Sequence, residues 1–240
     1  MNISLVIPIK QLENAKQRLS GLLSAEQRRD LFQAMVEDVL EAAATCDQVG
    51  ELVVVTADET VSQLAMKYSA RIMPEPEIPG LIAAVTRASE RFAAEGVDVM
   101  VFLPGDVPLV TVEELEIVLE GFGLASEPEF MIVPASDLGG SNCVLCSPPD
   151  CMVFGFGEDS FRRHLQIAKD RNIEPRVAKL PGIGLDIDTP EDLLVLVEEL
   201  KKRNLPTNTH RFLQQSGIID ELERVKGTDM AEVEGTGGAV

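Results

Sequence analysis

The chain reads as an α/β protein with a mostly parallel sheet covered by helices on both faces. Three observations predict this. Short β-branched or wholly apolar runs alternate with longer stretches of helical periodicity. Runs such as Val97 to Leu103 are continuously apolar, as strands buried on both faces must be. Cap and turn residues fall at the junctions, so each run is closed before the next begins. At 240 residues the chain suits one large or two small domains.

The elements follow in order. Ile3 to Ile9 is a strand, and Ser24 to Ala44 a helix opened by a capping box of Ser24 with Gln27. Leu52 to Thr56 is a strand and Asp58 to Ser69 a helix. Arg71 to Met73 is a short strand ended by Pro74-Glu75-Pro76. Gly80 to Glu95 is a helix, Val97 to Leu103 a strand, and Thr111 to Gly121 a helix with Thr111 as its cap and Glu114 at the third position. Phe130 to Pro134 and Asn142 to Cys146 are two strands with no helix between them, so a local antiparallel element is expected. Ser160 to Arg171 is a helix, Arg176 to Leu180 a strand and Thr189 to Arg203 a helix. The expected domain is residues 1–203, followed by an extension over 204–240. In that extension Thr207 to Val225 forms one or two helices with an apolar face of Phe212, Leu213, Ile218, Ile219 and Leu222, which could pair two copies as a homodimer. The Gly-rich acidic segment after Lys226 reads as a mobile tail.

Charge narrows the function. Twenty-one basic against forty acidic residues leave a net −19, which repels nucleic-acid phosphates. No apolar run is long enough for a transmembrane helix, and MNISLVIPIK lacks the basic start of a signal peptide. A cytoplasmic protein with no membrane and no nucleic-acid partner is expected. The four cysteines, Cys46, Cys143, Cys146 and Cys151, are then reduced. Cys143 and Cys146 have C-x-x-C spacing but no well-spaced fourth zinc ligand, and read as small apolar residues of a buried strand.

The charge is uneven. Residues 1–30 carry five bases against three acids, whereas residues 92–161 carry thirteen acids and no Lys or Arg. A basic loop after the first strand suits a polyphosphate, and an acidic region around the fourth suits a divalent cation. Glu113, Glu114, Glu116 and Glu120 read as a solvated helix face.

Ligands of such sheets bind beyond the carboxyl ends of the strands. There Lys10 and Lys16, in Pro8-Ile9-Lys10 and the loop after it, can face one anion. The loop is neither G-x-x-x-x-G-K-[ST] nor G-x-G-x-x-G. In Leu103-Pro104-Gly105-Asp106-Val107-Pro108 a buried strand delivers Asp106 into a rigid turn. Since Thr111 caps the next helix, a metal-binding carboxylate is the favoured reading. Leu185-Asp186-Ile187-Asp188 puts two carboxylates on one face of an extended segment, where a cation would relieve their repulsion. Asp188 reads equally as ligand or as helix cap. Gly139-Gly140-Ser141-Asn142 allows close backbone approach to a ligand. Gly157-Glu158-Asp159-Ser160 opens a helix whose N-terminus could take a phosphate, although Ser160 reads equally as a plain cap. His164 reads as a surface histidine.

Taken in order, VIPIKQLENAKQRL, LPGDVPL, GGSN, FGFGEDSF with His164, and LDIDTPEDL resemble the guanylyltransferases of coenzyme F-420 biosynthesis. These act on 2-phospho-L-lactate, phosphoenolpyruvate or 3-phospho-D-glycerate. The resemblance covers about residues 3–203. It implies a nucleotide-diphospho-sugar-transferase-like (GT-A type) fold, and GTP and a small phosphorylated acid as substrates, with pyrophosphate released. It implies two Mg2+ ions held by Asp106, Asp186 and Asp188, with Lys16 and Asp106 catalytic. It further implies GTP contacts at Pro8, Lys10, Lys16, Gly80, Ala83 and Gly105, and acid contacts at Ser141, Gly157 and Ser160. Two departures stand out: Ile82 where the family commonly has Asn, and Ser141 where it often has Thr. The rival readings are a cytidylyl- or sugar-phosphate nucleotidyltransferase, whose usual GGxSxRMG-type loop is absent here, and a non-catalytic nucleotide-binding domain.

Overall fold

The computed structural model describes residues 1–203, 206–222 and 224. Seven strands form one sheet: β1 (Ile3–Pro8), β2 (Glu51–Val55), β3 (Arg71–Met73), β4 (Val99–Phe102), β5 (Glu129–Pro134), β6 (Ser141–Ser147) and β7 (Pro175–Val177). Their spatial order is β3-β2-β1-β4-β6-β5-β7. All neighbours are parallel except β6, which runs antiparallel to both β4 and β5. That reversal is the expected break in the alternation. It brings the start of β6 beside the carboxyl end of β4, since Phe102 pairs with Val144 and Met100 with Cys146.

Alternate residues of each strand face opposite layers. Leu5 and Ile7 of β1 join a cluster with Val36 and Val39 of α1 (Ala25–Thr45), Val61 of α2 (Glu59–Lys67) and Leu115 of α4 (Val112–Leu119). Val6, between them, joins Phe102, Phe130, Val85 and Phe92 of α3 (Leu81–Glu95), and Ala168 of α5 (Ser160–Asp170). The sheet is therefore covered on both faces, with Cys143 and Cys146 fully buried in β6.

Helix starts follow local chemistry. Ser24 and Gln27 form the reciprocal capping box, and Thr111 Oγ1 accepts from the N–H of Glu114. At α6 (Pro190–Arg203), Thr189 Oγ1 accepts from the Asp192 N–H, while Asp192 Oδ2 accepts from the N–H groups of Asp188 and Thr189. Thr189 is thus the cap, which leaves the Asp188 carboxylate free for other work.

The last described helix, α7 (Asn208–Gln215), docks on α1. Asp38 of α1 accepts from the N–H groups of Asn208 (2.6 Å) and Thr209 (2.9 Å). Leu213, Ile218 and Leu222 are buried with Leu31 and Met35 of α1 and Leu193 and Leu196 of α6. The apolar face that could have paired two copies is used within the chain, because the same side chains complete this third cluster. The acidic segment expected as a mobile tail lies outside the described residues. Among the described residues no helix is long and apolar enough to cross a membrane.

Candidate active site

After β1 the chain makes two short 3-10 turns, Leu12–Asn14 and Gln17–Leu19. Between them Lys16 adopts a left-handed conformation, φ 53° and ψ 44°. This costs a residue with a Cβ about 1 kcal/mol or more. It also turns the side chain inward, where only 5% of it is exposed. Its ammonium lies 2.6 Å from Asp106 Oδ2, 2.8 Å from Asp188 Oδ1 and 5.4 Å above the Phe32 ring. Burial by itself would pull the Lys16 pKa down. The charges of Asp106 and Asp188 outweigh it, so the pKa is raised above its ordinary value and Lys16 stays protonated.

Two distant stretches meet here. The Ile187 N–H donates to the Asp106 carbonyl at 3.1 Å, which fixes the 185–188 segment against the turn after β4. Asn142, at the start of β6, donates to Asp186 Oδ1 and to the Ile183 carbonyl, each at 3.0 Å. From below, Glu114 of α4 accepts from the N–H groups of Gly182 (2.7 Å) and Ile183 (2.9 Å). A Cβ at Gly182 would lie 2.2 Å from the Leu109 carbonyl oxygen, so only glycine allows this approach. Glu114 is thus buried, contrary to the solvated face expected for it, because its carboxylate satisfies a turn of another segment. Burial raises the pKa of Asp186; the Asn142 bond opposes this, and the negative charges of Asp106 and Asp188 reinforce it.

These elements border a cavity of about 810 Å³ lined by Pro8, Lys10, Lys16, Gly80, Gly105, Asp106 and Asp188, among others. That volume suits a nucleotide-sized ligand. Ala83 does not line it. One residue along a helix turns the side chain by about 100°, so Ala84 faces this cavity and Ala83 a neighbouring one of about 690 Å³ with Ile82 and Gly157.

The second group of sequence-marked residues also comes together. Ser160 Oγ donates to Ser141 Oγ at 3.1 Å, the Ser160 N–H donates to the Gly157 carbonyl, and the Phe161 N–H donates to the Gly139 carbonyl. Ser160 is not the cap of α5: Asp159 holds that place, with φ 54° and no side-chain cap bond. His164 is not on the surface. It is fully buried, 2.9 Å from Ser141 Oγ through Nδ1 and 2.9 Å from the Gly155 N–H through Nε2.

The model of guanylyl transferases like CofC matches residues 3–230. The chain belongs to this family. It is 34% identical over 203 residues to a phosphoenolpyruvate guanylyltransferase of Conexibacter woesei, covering 85% of this chain and 91% of the relative. It is also 34% identical to a 3-phospho-D-glycerate guanylyltransferase of Colwellia psychrerythraea, over 82% and 91% of the two chains. A solved structure from Desulfovibrio desulfuricans G20, described as a nucleotide-diphospho-sugar transferase, superposes with a TM-score of 0.76 at 18% identity, covering 93% and 98%. The fold is therefore that of the nucleotide-diphospho-sugar transferases, and the protein is a nucleotidyltransferase.

Carboxylates gathered beside a nucleotide-sized cavity could take a cation as partner. The donors are hard oxygens, as magnesium or manganese prefers. Among the described residues, however, no three His, Cys, Asp or Glu side chains form a ready cage. Asp106 and Asp188 share Lys16, while Asp186 accepts from Asn142 and feels the negative charges of both. Of the three carboxylates expected from the sequence, two thus share one ammonium and the third is bonded to a side-chain amide. This still fits magnesium, which takes one or two carboxylates and completes its shell with phosphate oxygens and water. Asn142, Glu114 and His164 escaped sequence reasoning as site residues. The GGSN motif was the one signal pointing at Asn142.

Proposed function

We propose that this guanylyl transferase joins GMP from GTP to a phosphorylated three-carbon acid, namely 2-phospho-L-lactate, phosphoenolpyruvate or 3-phospho-D-glycerate. Pyrophosphate is released, and the product serves coenzyme F-420 biosynthesis. The observation that carries this is the Lys16 ammonium seated between Asp106 and Asp188 at the mouth of a nucleotide-sized cavity. The substrate names of the two 34%-identical relatives support the choice of acid.

An oxygen of the acid's phosphate attacks the α-phosphorus of GTP. The bond from that phosphorus to the bridging oxygen breaks, and the electron pair leaves with pyrophosphate. No general base is needed, since a phosphate monoester is already largely ionised at neutral pH. The task is to bring two anions together. Mg2+ held by Asp106, Asp186 and Asp188 would offset the charge of the meeting phosphates. Lys16, and Lys10 at the exposed rim, steady the β- and γ-phosphates as charge builds on the leaving group. Ser141, Ser160 and the Gly157 backbone hold the acid. The acidic surface elsewhere confines the attraction to this cleft.

The test offers GTP, CTP and ATP with Mg2+ against each of the three acids, with products read by mass spectrometry. A guanosine-diphosphate-linked acid and pyrophosphate from GTP alone are expected. Preferential use of CTP would move the assignment to the cytidylyl reading. GTP binding without turnover on any acid would leave a nucleotide-binding domain.

A further inference from the structure

His164 sits inside the protein between the sheet and α5, ringed by Phe156 at 4.9 Å, Phe130 at 6.4 Å and Phe154 at 6.5 Å between centroids. Burial, aided by the charge of Arg163, pushes its pKa down to about 4, so the imidazole is neutral. A neutral ring has one N–H and one bare nitrogen. The Gly155 N–H donates to Nε2, which makes Nε2 the bare one. The proton therefore sits on Nδ1, and Nδ1–H donates to Ser141 Oγ at 2.9 Å.

A serine hydroxyl has two lone pairs and one proton. In Ser141 one lone pair accepts from His164 and the other from Ser160 Oγ. The acceptor capacity of Ser141 is full, and its proton has no partner among these three residues. We propose that His164 is a positioning residue: by holding Ser141 Oγ as an acceptor, it commits the serine to donate its proton to an anionic oxygen of the acid substrate. The proposal rests on reading Ser141 as part of the acid subsite. It accounts for a fully buried histidine that takes no other part in the reaction. It also states what this serine selects for: an acceptor such as a phosphate or carboxylate oxygen, never a donor.

Two substitutions separate the two ring nitrogens. His164→Asn keeps an N–H near the place of Nδ1, and His164→Gln keeps a polar group near that of Nε2. At saturating GTP, His164→Gln is expected to raise the KM for the acid about tenfold, the loss of one hydrogen bond to a charged group. The KM for GTP should change less than about twofold, and His164→Asn should recover most of the affinity for the acid. In the Ser141→Ala background, His164→Gln should add almost nothing, because the two residues act as one unit. Equal weakening of GTP and acid, or a multiplicative double variant, overturns the proposal. So does a Gln variant that binds the acid normally while the Asn variant does not, since the histidine would then serve only the Gly155 turn. Should His164→Gln fail to fold, His164→Asn decides: near-normal acid KM supports the role, and a tenfold rise removes it. If Ser141→Ala leaves the acid KM unchanged, the acid-subsite reading falls and the proposal with it. If Ser141→Ala raises that KM and His164→Gln does not, only the role of His164 falls.

Discussion

Lys16 is held by two carboxylates while its backbone pays a left-handed penalty. That combination fixes an ammonium on the wall of the nucleotide-sized cavity. Lys16→Ala is expected to raise the KM for GTP at least about tenfold and to change that for the acid much less; equal losses in steady-state kinetics would count against the loop's role. Asp106→Asn removes one negative charge from the pair and should cut turnover more than about tenfold while the protein stays folded at the assay temperature, as read by circular dichroism. Near-normal turnover would remove Asp106 from the metal set. His164 carries a pH signature of its own. Its pKa is about 4 folded and about 6.5 unfolded. Between those values the unfolded chain binds more protons, so the stability contribution is fully present above about pH 6.5. It is lost as pH falls toward 4, by about 3 kcal/mol in all. Urea midpoints measured from pH 7 to 4.5 should fall more steeply for the native chain than for His164→Asn.

At the scale of elements, the carboxylates on the 185–188 segment owe their place to α4 and β6. Glu114 closes the Gly182–Ile183 turn and Asn142 ties Asp186 to the sheet. Glu114→Ala would strand two buried N–H groups, each costing about 1–3 kcal/mol. The expected loss is about 2–4 kcal/mol by denaturant titration, together with reduced turnover. Glu114→Gln, which keeps an acceptor, should lose less. A neutral result for Glu114→Ala would mean that water replaces the carboxylate. The element pattern itself was open to sequence reading, because capping boxes and apolar periodicity are local. Ser24 with Gln27, and the paired strands around 130–146, stand as expected. The role of Glu114 was hidden because its partners lie 68 and 69 residues away, and a helix pattern shows only which side a residue occupies. Likewise Ala83 and Ala84 are alike in composition, and only the helix's rotation on the sheet decides which one faces the nucleotide-sized cavity.

For the whole molecule, the antiparallel β6 and the docked α7 shape the result. β6 joins Ser141 and Asn142 to the carboxyl edge of the parallel strands, so both proposed substrate regions share one rim of the sheet. α7 closes the third apolar cluster, and Leu213 within it is fully buried. Leu213→Ala should cost about 2–4 kcal/mol, seen as a lower unfolding midpoint, with turnover retained at low temperature. A shift below about 0.5 kcal/mol would show that the helix contributes little to the core.

Sequence by itself determined the alternating α/β layers, the reversal near residue 140, and the residue types that could meet polyphosphate and cation. Those follow from periodicity, caps and charge, which act over a few residues. Only the tertiary structure decided that Lys16 lies between Asp106 and Asp188, that Asn142 ties Asp186 to β6, and that a buried histidine lies within hydrogen-bond reach of Ser141. Contacts among residues up to 172 positions apart depend on strand order and segment register, and no local pattern encodes those.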